Sequence, residues 1–224
     1  MRHKIVLIVA LLVSVAAQAE IQFRGGPYLQ EVTGKEATIV FEHPYPTLSW
    51  VELRKKGALT VKKYYQVIDG GRQAYSELRA ASTALPVQNF TIRMTGLSTG
   101  TNYEYRICQQ KMTKWEPYSV TYEDVEKTDW YSFQTLNPNA TEQHIIIVSD
   151  MHNRPDTLHA MLHALDYATA DHIIYAGDIM DNMQGGVSTS SKGKEEPYAS
   201  LINVSTELFA TGKAFDIVRG ECDT

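Results

Sequence analysis

Three carboxylates and one imidazole follow directly in sequence after two short apolar segments in the C-terminal third of the chain. The four residues are Asp150, His152, Asp178 and Asp181. Gathered at one place, the carboxylates would repel one another or stay protonated unless a cation joined them. A mixed set of oxygen and nitrogen donors suits zinc, manganese or iron better than a set of oxygen atoms alone. The residue types therefore predict a metal site.

The segments around these residues predict two parallel strands joined by a helix. Ile145–Val148 and His172–Ala176 are apolar and each ends in a polar turn, which is typical of strands covered on both faces. Between them, Pro155 and Asp156 suit the first turn of a helix, and apolar residues recur behind them at helical spacing. Such a unit makes a right-handed crossover, and open α/β sheets bind ligands at the carboxyl ends of their strands. The four side chains are therefore expected at one sheet edge.

The order of these residues resembles the calcineurin-like metallophosphoesterases. That family carries D-x-H after one strand and G-D-x-x-D after the next, and this chain has DMH at 150–152 and GDIMD at 177–181. The resemblance implies two metal ions (manganese, zinc or iron) that activate a hydroxide for attack on a phosphate ester substrate. It also implies that Asp150 and His152 bind the first metal ion and that Asp178 bridges the pair.

The second motif bears on the identity of the metal. Purple acid phosphatases, which belong to this class, place a charge-transfer tyrosine on iron three residues after the bridging aspartate. Asp181 occupies that position here. Asp181 is expected to hold the loop or to hydrogen-bond to the residues that bind the metal. The chain therefore resembles a general metallophosphoesterase more than a purple enzyme, and iron is disfavoured.

A third predicted strand, at 214–218, leads into a sequence that departs from the family pattern. Metallophosphoesterases carry G-N-H-[DE] there, with the Asn as a metal ligand and the His acting on the leaving group or the phosphoryl oxygens. This chain has Glu221 in place of the Asn and Cys222 in place of the His. Glu221 can still bind a metal, whereas Cys222 is a poor general acid for an alkoxide. The family's later His-bearing motifs do not follow, so residues 142–224 are expected to be the first half of a truncated catalytic domain.

Residues 20–136 predict an all-β domain. Strand-like segments alternate with turn residues, a spacing typical of a sandwich of two antiparallel sheets. These segments lie at 37–42, 49–54, 62–68, 89–94, 101–107 and 131–135. The stretch at 96–106 resembles the fibronectin type III signature, in which Tyr103 would be the corner tyrosine. The GPYLQ sequence at 26–30 resembles the first strand of the fibronectin-like domain that precedes the catalytic domain in purple acid phosphatases.

The predicted fold class is therefore α+β with two domains. An N-terminal all-β fibronectin III-like sandwich would be followed, after a linker at 137–141, by a partial α/β metallophosphoesterase domain. The α/β half is expected to fold poorly alone. His43 precedes Pro44 in a Pro-rich stretch and is expected at the surface, and His159 and His163 are expected to face solvent.

The first 19 residues predict a secretory signal peptide. They have a basic start, an apolar core at 5–13 that is too short for a good membrane span, and an A-x-A end at 17–19. The chain is therefore expected to be secreted or periplasmic, with no membrane segment after cleavage. A net charge of −5 disfavours a nucleic-acid backbone as partner. Two cysteines, Cys108 and Cys222, are too few for a disulfide framework.

Two functions remain open from the sequence. The first is a secreted metal-dependent phosphoesterase, whose substrate is a monoester, a diester or a nucleotide. The alternative is a non-catalytic secreted protein whose fibronectin-like domain binds a protein or a glycan. Phosphate ester hydrolysis that depends on Asp178 separates the two.

Overall fold

The computed structural model describes residues 21–68, 71–72, 87–116, 119–180 and 197–223. The signal peptide predicted at 1–19 and the residue Asp181 lie outside this part of the chain. The described part is mostly β-sheet with few helices, and none of its helices is long and apolar enough to cross a membrane.

Antiparallel strands form the first part of the chain, as the sequence predicts. In chain order they are β1 (Gly25–Gln30), β2 (Glu36–Lys55), β3 (Lys62–Tyr64), β4 (Val67–Ile68), β5 (Gly71–Arg72), β6 (Val87–Thr95), β7 (Asn102–Glu116), β8 (Ser119–Tyr122), β9 (Glu126–Lys127) and β10 (Tyr131–Gln134). The first half of β2 pairs with β1 and β6, and its second half pairs with β3 and β7. Both halves contribute buried residues to one apolar core, among them Ile39, Phe41, Val51 and Leu53.

Tyr103 lies in this core with its ring almost fully buried. Its hydroxyl oxygen accepts a hydrogen bond of 2.9 Å from the backbone N–H of Ser98, five residues upstream. The bond ties the start of β7 to the loop before it. A fibronectin type III relationship remains a prediction from the sequence.

The expectation that His43 lies at the surface is wrong. The sequence suggests a loop between two strands, but β2 runs continuously through Pro44 and Pro46, with a shift of its register against β6 between Glu42 and Thr47. The ring of His43 is 0% exposed. A bulged strand accommodates proline because the ladder bond that proline cannot donate is already interrupted there.

Three parallel strands form the second part, in the order β11 (Ile145–Val148), β12 (His172–Ala176) and β13 (Phe215–Val218). Helix α1 (Pro155–Ala164) connects the first two strands, and α2 (Pro197–Ser205) precedes the third. A 3-10 turn at Tyr167–Thr169 and a π-helical turn at Thr206–Ala210 complete the connections. The strands begin and end where the sequence predicts, to within a residue.

The helices cover one face of this sheet. Side chains of α1 and α2 such as Leu162 and Leu201 pack with Ile146, Ile173 and Phe215 in a second core. On the other face, the exposed fractions are 46% for Ile145, 63% for Ile147 and 53% for Val218. The expectation that these strands are covered on both faces is therefore wrong for the residues that the structure describes.

The two parts of the chain pack against each other through β1. Tyr28 belongs to the core of the α/β part, with its ring centroid 5.4 Å from that of Phe215. Leu29 forms a parallel bridge with Ala214. The two parts therefore meet in a packed junction, and the linker at 137–141 stays a prediction.

Candidate metal centre

The carboxyl ends of the three parallel strands bring three donor side chains together. His152 follows β11, Asp178 follows β12 and Cys222 follows β13. One ligand atom from each of them lies within 4.8 Å of the others. Imidazole nitrogen, carboxylate oxygen and thiol sulfur are all donors to transition metals. This group is the candidate metal centre.

Hydrogen bonds hold the first two strand-end turns side by side. The backbone N–H of Asp150 donates to the carbonyl of Gly177 at 3.2 Å, and that of His152 donates to the carbonyl of Asp178 at 3.1 Å. Left-handed φ values of 61° at Asp150, 44° at His152 and 51° at Asp178 shape the turns. Such conformations cost about 1–2 kcal/mol per non-glycine residue, so the surrounding contacts must hold them.

Two glycines allow the third turn to approach the second. Gly177 has φ of 93°, and a Cβ there would lie 2.9 Å from the Cα of Gly220. A Cβ on Gly220 would collide with the backbone nitrogen and the Oδ1 atom of Asp178. Only hydrogen at both positions permits this contact. The backbone after β13 therefore lies directly against Asp178.

Asp223 fixes the conformation of the third turn. Its carboxylate is buried and accepts hydrogen bonds of 2.8 Å from the backbone N–H groups of Met180 and Gly220. Burial alone would raise the pKa of Asp223, but these backbone donors outweigh it and lower the pKa. Asp223 is therefore a charged clamp between the turns after β12 and β13.

Cys222 contacts Asp178 through two groups. Its backbone N–H donates to Oδ1 of Asp178 at 2.8 Å. Its thiol lies within 4.8 Å of the Asp178 carboxylate. Desolvation together with this negative charge raises the pKa of Cys222. Both cysteines of the chain are free, and the other, Cys108, is buried in the β-rich part.

Comparison with solved structures gives a similarity that bears on the fold. No family model and no curated protein matches the chain. A purple acid phosphatase from yellow lupin (Lupinus luteus) seeds is similar in structure, with a TM-score of 0.59 over 91% of this chain at 14% sequence identity. The chain shares the fold of that phosphatase. It spans 36% of the length of that protein.

The sequence prediction and the structure differ in the donors that they select. Of the predicted ligands, His152 and Asp178 belong to the three-residue group. Asp150 is exposed and accepts a hydrogen bond of 2.6 Å from the Ser149 hydroxyl, and Glu221 is also exposed. Neither belongs to the group, and their metal-binding roles stay predictions.

Sequence reasoning did not identify Cys222 as a donor. It compared this residue with the family's histidine and judged it as a general acid. A sulfur ligand at the end of the third strand was available from the same topological argument that selected His152 and Asp178.

Proposed function

We propose that this chain is a metal-dependent phosphoesterase. The observation that carries the proposal is the convergence of His152, Asp178 and Cys222 at the carboxyl edge of a parallel sheet. The fold shared with a purple acid phosphatase supports the same reaction class. The strand-end edge of an open α/β sheet is also where such folds bind their ligands.

The donor chemistry at this edge fits a transition metal. The residues that would hold it are His152 and Asp178, with Asp150 and Glu221 as further candidates. The family resemblance implies a pair of such ions, of zinc, manganese or iron. When bound, a metal ion supplies hydroxide near neutral pH and offsets charge on the phosphoryl oxygens.

The chain's own residues prepare this site by fixing the donors. Asp178 is held between two turns by the backbone contact at Gly220 and by the N–H of Cys222. Asp223 keeps the third turn in register with the second. Preorganised donors matter because a displacement of about 1 Å can lower a rate by about 100-fold.

The substrate and the location are part of the proposal. The expected substrate is a phosphate ester, and the acidic net charge of −5 argues against a nucleic-acid backbone as partner. The basic, apolar and A-x-A features of residues 1–19 support export, either secretion or delivery to a periplasm.

The test measures hydrolysis of p-nitrophenyl phosphate and of bis-p-nitrophenyl phosphate by the purified chain, with zinc or manganese added. We expect turnover that falls by about 100-fold or more in Asp178→Asn, since this substitution removes a charged ligand. Asp156→Asn, at an exposed position on α1, is the matched control and should retain activity. Absence of turnover with either metal would overturn the proposal and favour the non-catalytic binding alternative.

A further inference from the structure

We propose that Cys222 is a metal ligand, and that His152, Asp178 and Cys222 together bind a single zinc ion through nitrogen, oxygen and sulfur. The assignment concerns the site of the proposed phosphoesterase and rests on that proposal for its biological meaning. Its evidence is geometric, and its test measures binding rather than turnover.

The distances are close to those of a zinc site. The three donor atoms lie within 4.8 Å of one another. Zinc bonds of about 2.0–2.3 Å in a tetrahedron place neighbouring donors about 3.3–3.8 Å apart. Because the donor atoms lie at most 4.8 Å apart, they need to approach one another by no more than about 1–1.5 Å when the ion binds.

Each donor comes from a different strand end, and the backbone fixes all three turns. The N–H of His152 is bonded to the Asp178 carbonyl at 3.1 Å, and the N–H of Cys222 is bonded to the Asp178 carboxylate at 2.8 Å. The clamp of Asp223 and the contact between Gly177 and Gly220 hold the third turn in place. Cys222 is therefore one of three donors whose positions are fixed by backbone contacts.

The donor types select the metal. Thiolate sulfur favours zinc and related soft or borderline ions, whereas magnesium and manganese prefer oxygen. Thiolate and carboxylate carry two negative charges that match a divalent ion. Zinc binding breaks the S–H bond of Cys222, forms a zinc–sulfur bond and releases the proton to solvent.

Three protein ligands would leave the fourth position of the zinc ion open. This coordination is characteristic of catalytic zinc sites, whereas structural zinc sites are closed by four protein ligands. It also differs from the pair of ions that the family resemblance implies. The structure thus assigns to Cys222 a role as an anionic ligand in place of a proton donor.

The test uses cobalt(II) as a spectroscopic substitute for zinc in the purified full chain. We expect one cobalt ion per chain, with a sulfur-to-cobalt charge-transfer band and intense visible bands of tetrahedral geometry. Cys222→Ser should remove the charge-transfer band, whereas Cys108→Ala, which removes the other thiol, should retain it. Competition with zinc should show that Cys222→Ser binds zinc about 100-fold or more weakly than wild type does. Even the loss of a residue that only hydrogen-bonds to a metal ligand lowers metal affinity by about 10- to 100-fold.

Rescue provides a second readout. Cys222→Asp should restore binding without the sulfur band and should reduce the preference for zinc over manganese. Circular dichroism of each variant checks that the fold is retained. The assignment is overturned if the wild-type chain binds no cobalt, if it binds cobalt without a sulfur band, or if the band persists in Cys222→Ser.

The outcomes separate this assignment from the proposed function. A sulfur–cobalt band together with no phosphate ester hydrolysis would retain the metal site and reject the phosphoesterase. Hydrolysis together with no sulfur band would retain the phosphoesterase and reject Cys222 as a ligand.

Discussion

Acid should destabilise this protein through one buried imidazole in its β-rich part. The ring of His43 is fully buried, with Nδ1 3.1 Å from the carbonyl oxygen of Gln22 and Nε2 3.1 Å from the hydroxyl of Ser49. In the neutral ring Nδ1–H donates to Gln22 and Nε2 accepts from Ser49. Phe23 and Phe41 pack against the ring, with centroids 5.1 and 5.2 Å away.

The size of the effect follows from the pKa of His43. Burial lowers this pKa from 6.5 to about 4, although the Gln22 carbonyl and the charge of Glu126 oppose the shift. Between pH 4 and 6.5 the unfolded chain therefore binds more protons at this residue than the folded chain does. The contribution of His43 to the free energy of unfolding is fully present above pH 6.5. This contribution falls by about 3 kcal/mol as the pH drops to 4.

The assay is urea unfolding of the full chain at pH 7 and pH 4.5, followed by tryptophan fluorescence. His43→Gln should be less stable than wild type at pH 7, by about 1–3 kcal/mol, because buried hydrogen bonds are disturbed. Between pH 7 and 4.5, the free energy of unfolding of His43→Gln should fall by about 2–3 kcal/mol less than that of wild type does. His163→Gln, at an exposed position on α1, is the control and should show the full wild-type loss. Equal losses in wild type and His43→Gln would refute the reasoning.

Other substitutions test the remaining structural arguments. Tyr103→Phe removes one hydrogen bond to the backbone and should lower the free energy of unfolding by about 1 kcal/mol, measured in urea; no change would contradict its role. Gly220→Ala should weaken zinc binding in a dye competition assay, since the added Cβ displaces Asp178; unchanged affinity would count against the close contact. Ile147→Lys, on the exposed sheet face, should change the free energy of unfolding by less than about 0.5 kcal/mol, measured in urea; a large loss of stability would show that this face is covered. A fragment of residues 142–224 lacks Tyr28, which fills its core, and should be digested by trypsin faster than the full chain; equal resistance would show independent folding.

The α/β part illustrates what the sequence predicts well. Short apolar runs bounded by polar turns locate β11 and β12, because apolar runs of this length are typical of buried strands. The same pattern does not reveal how many faces are covered. Ile145 and Ile147 are apolar and exposed, so a continuous run of apolar residues overestimates burial here.

The β-rich part shows a different limit. Pro44 and Pro46 suggest a break between two strands, since proline cannot donate a ladder hydrogen bond. In the structure β2 continues through them, because its pairing changes from β6 to β7 at this point. Tertiary pairing therefore overrides the local preference, and His43 is carried into the core.

The candidate site depends on the direction of side chains as well as on topology. Topology places His152, Asp178 and Cys222 at the ends of three adjacent strands, and this placement was available from the sequence. The selection among nearby donors comes from the turns, whose left-handed residues and backbone hydrogen bonds the sequence does not specify. Because the backbone N–H of Cys222 is bonded to Asp178, its sulfur lies beside that carboxylate, while the neighbouring Glu221 is exposed. The turn thus presents the sulfur of Cys222 to the site in place of the carboxylate of Glu221, one residue earlier. Because sulfur and oxygen donors favour different metals, this choice of residue also changes the metal that the site prefers.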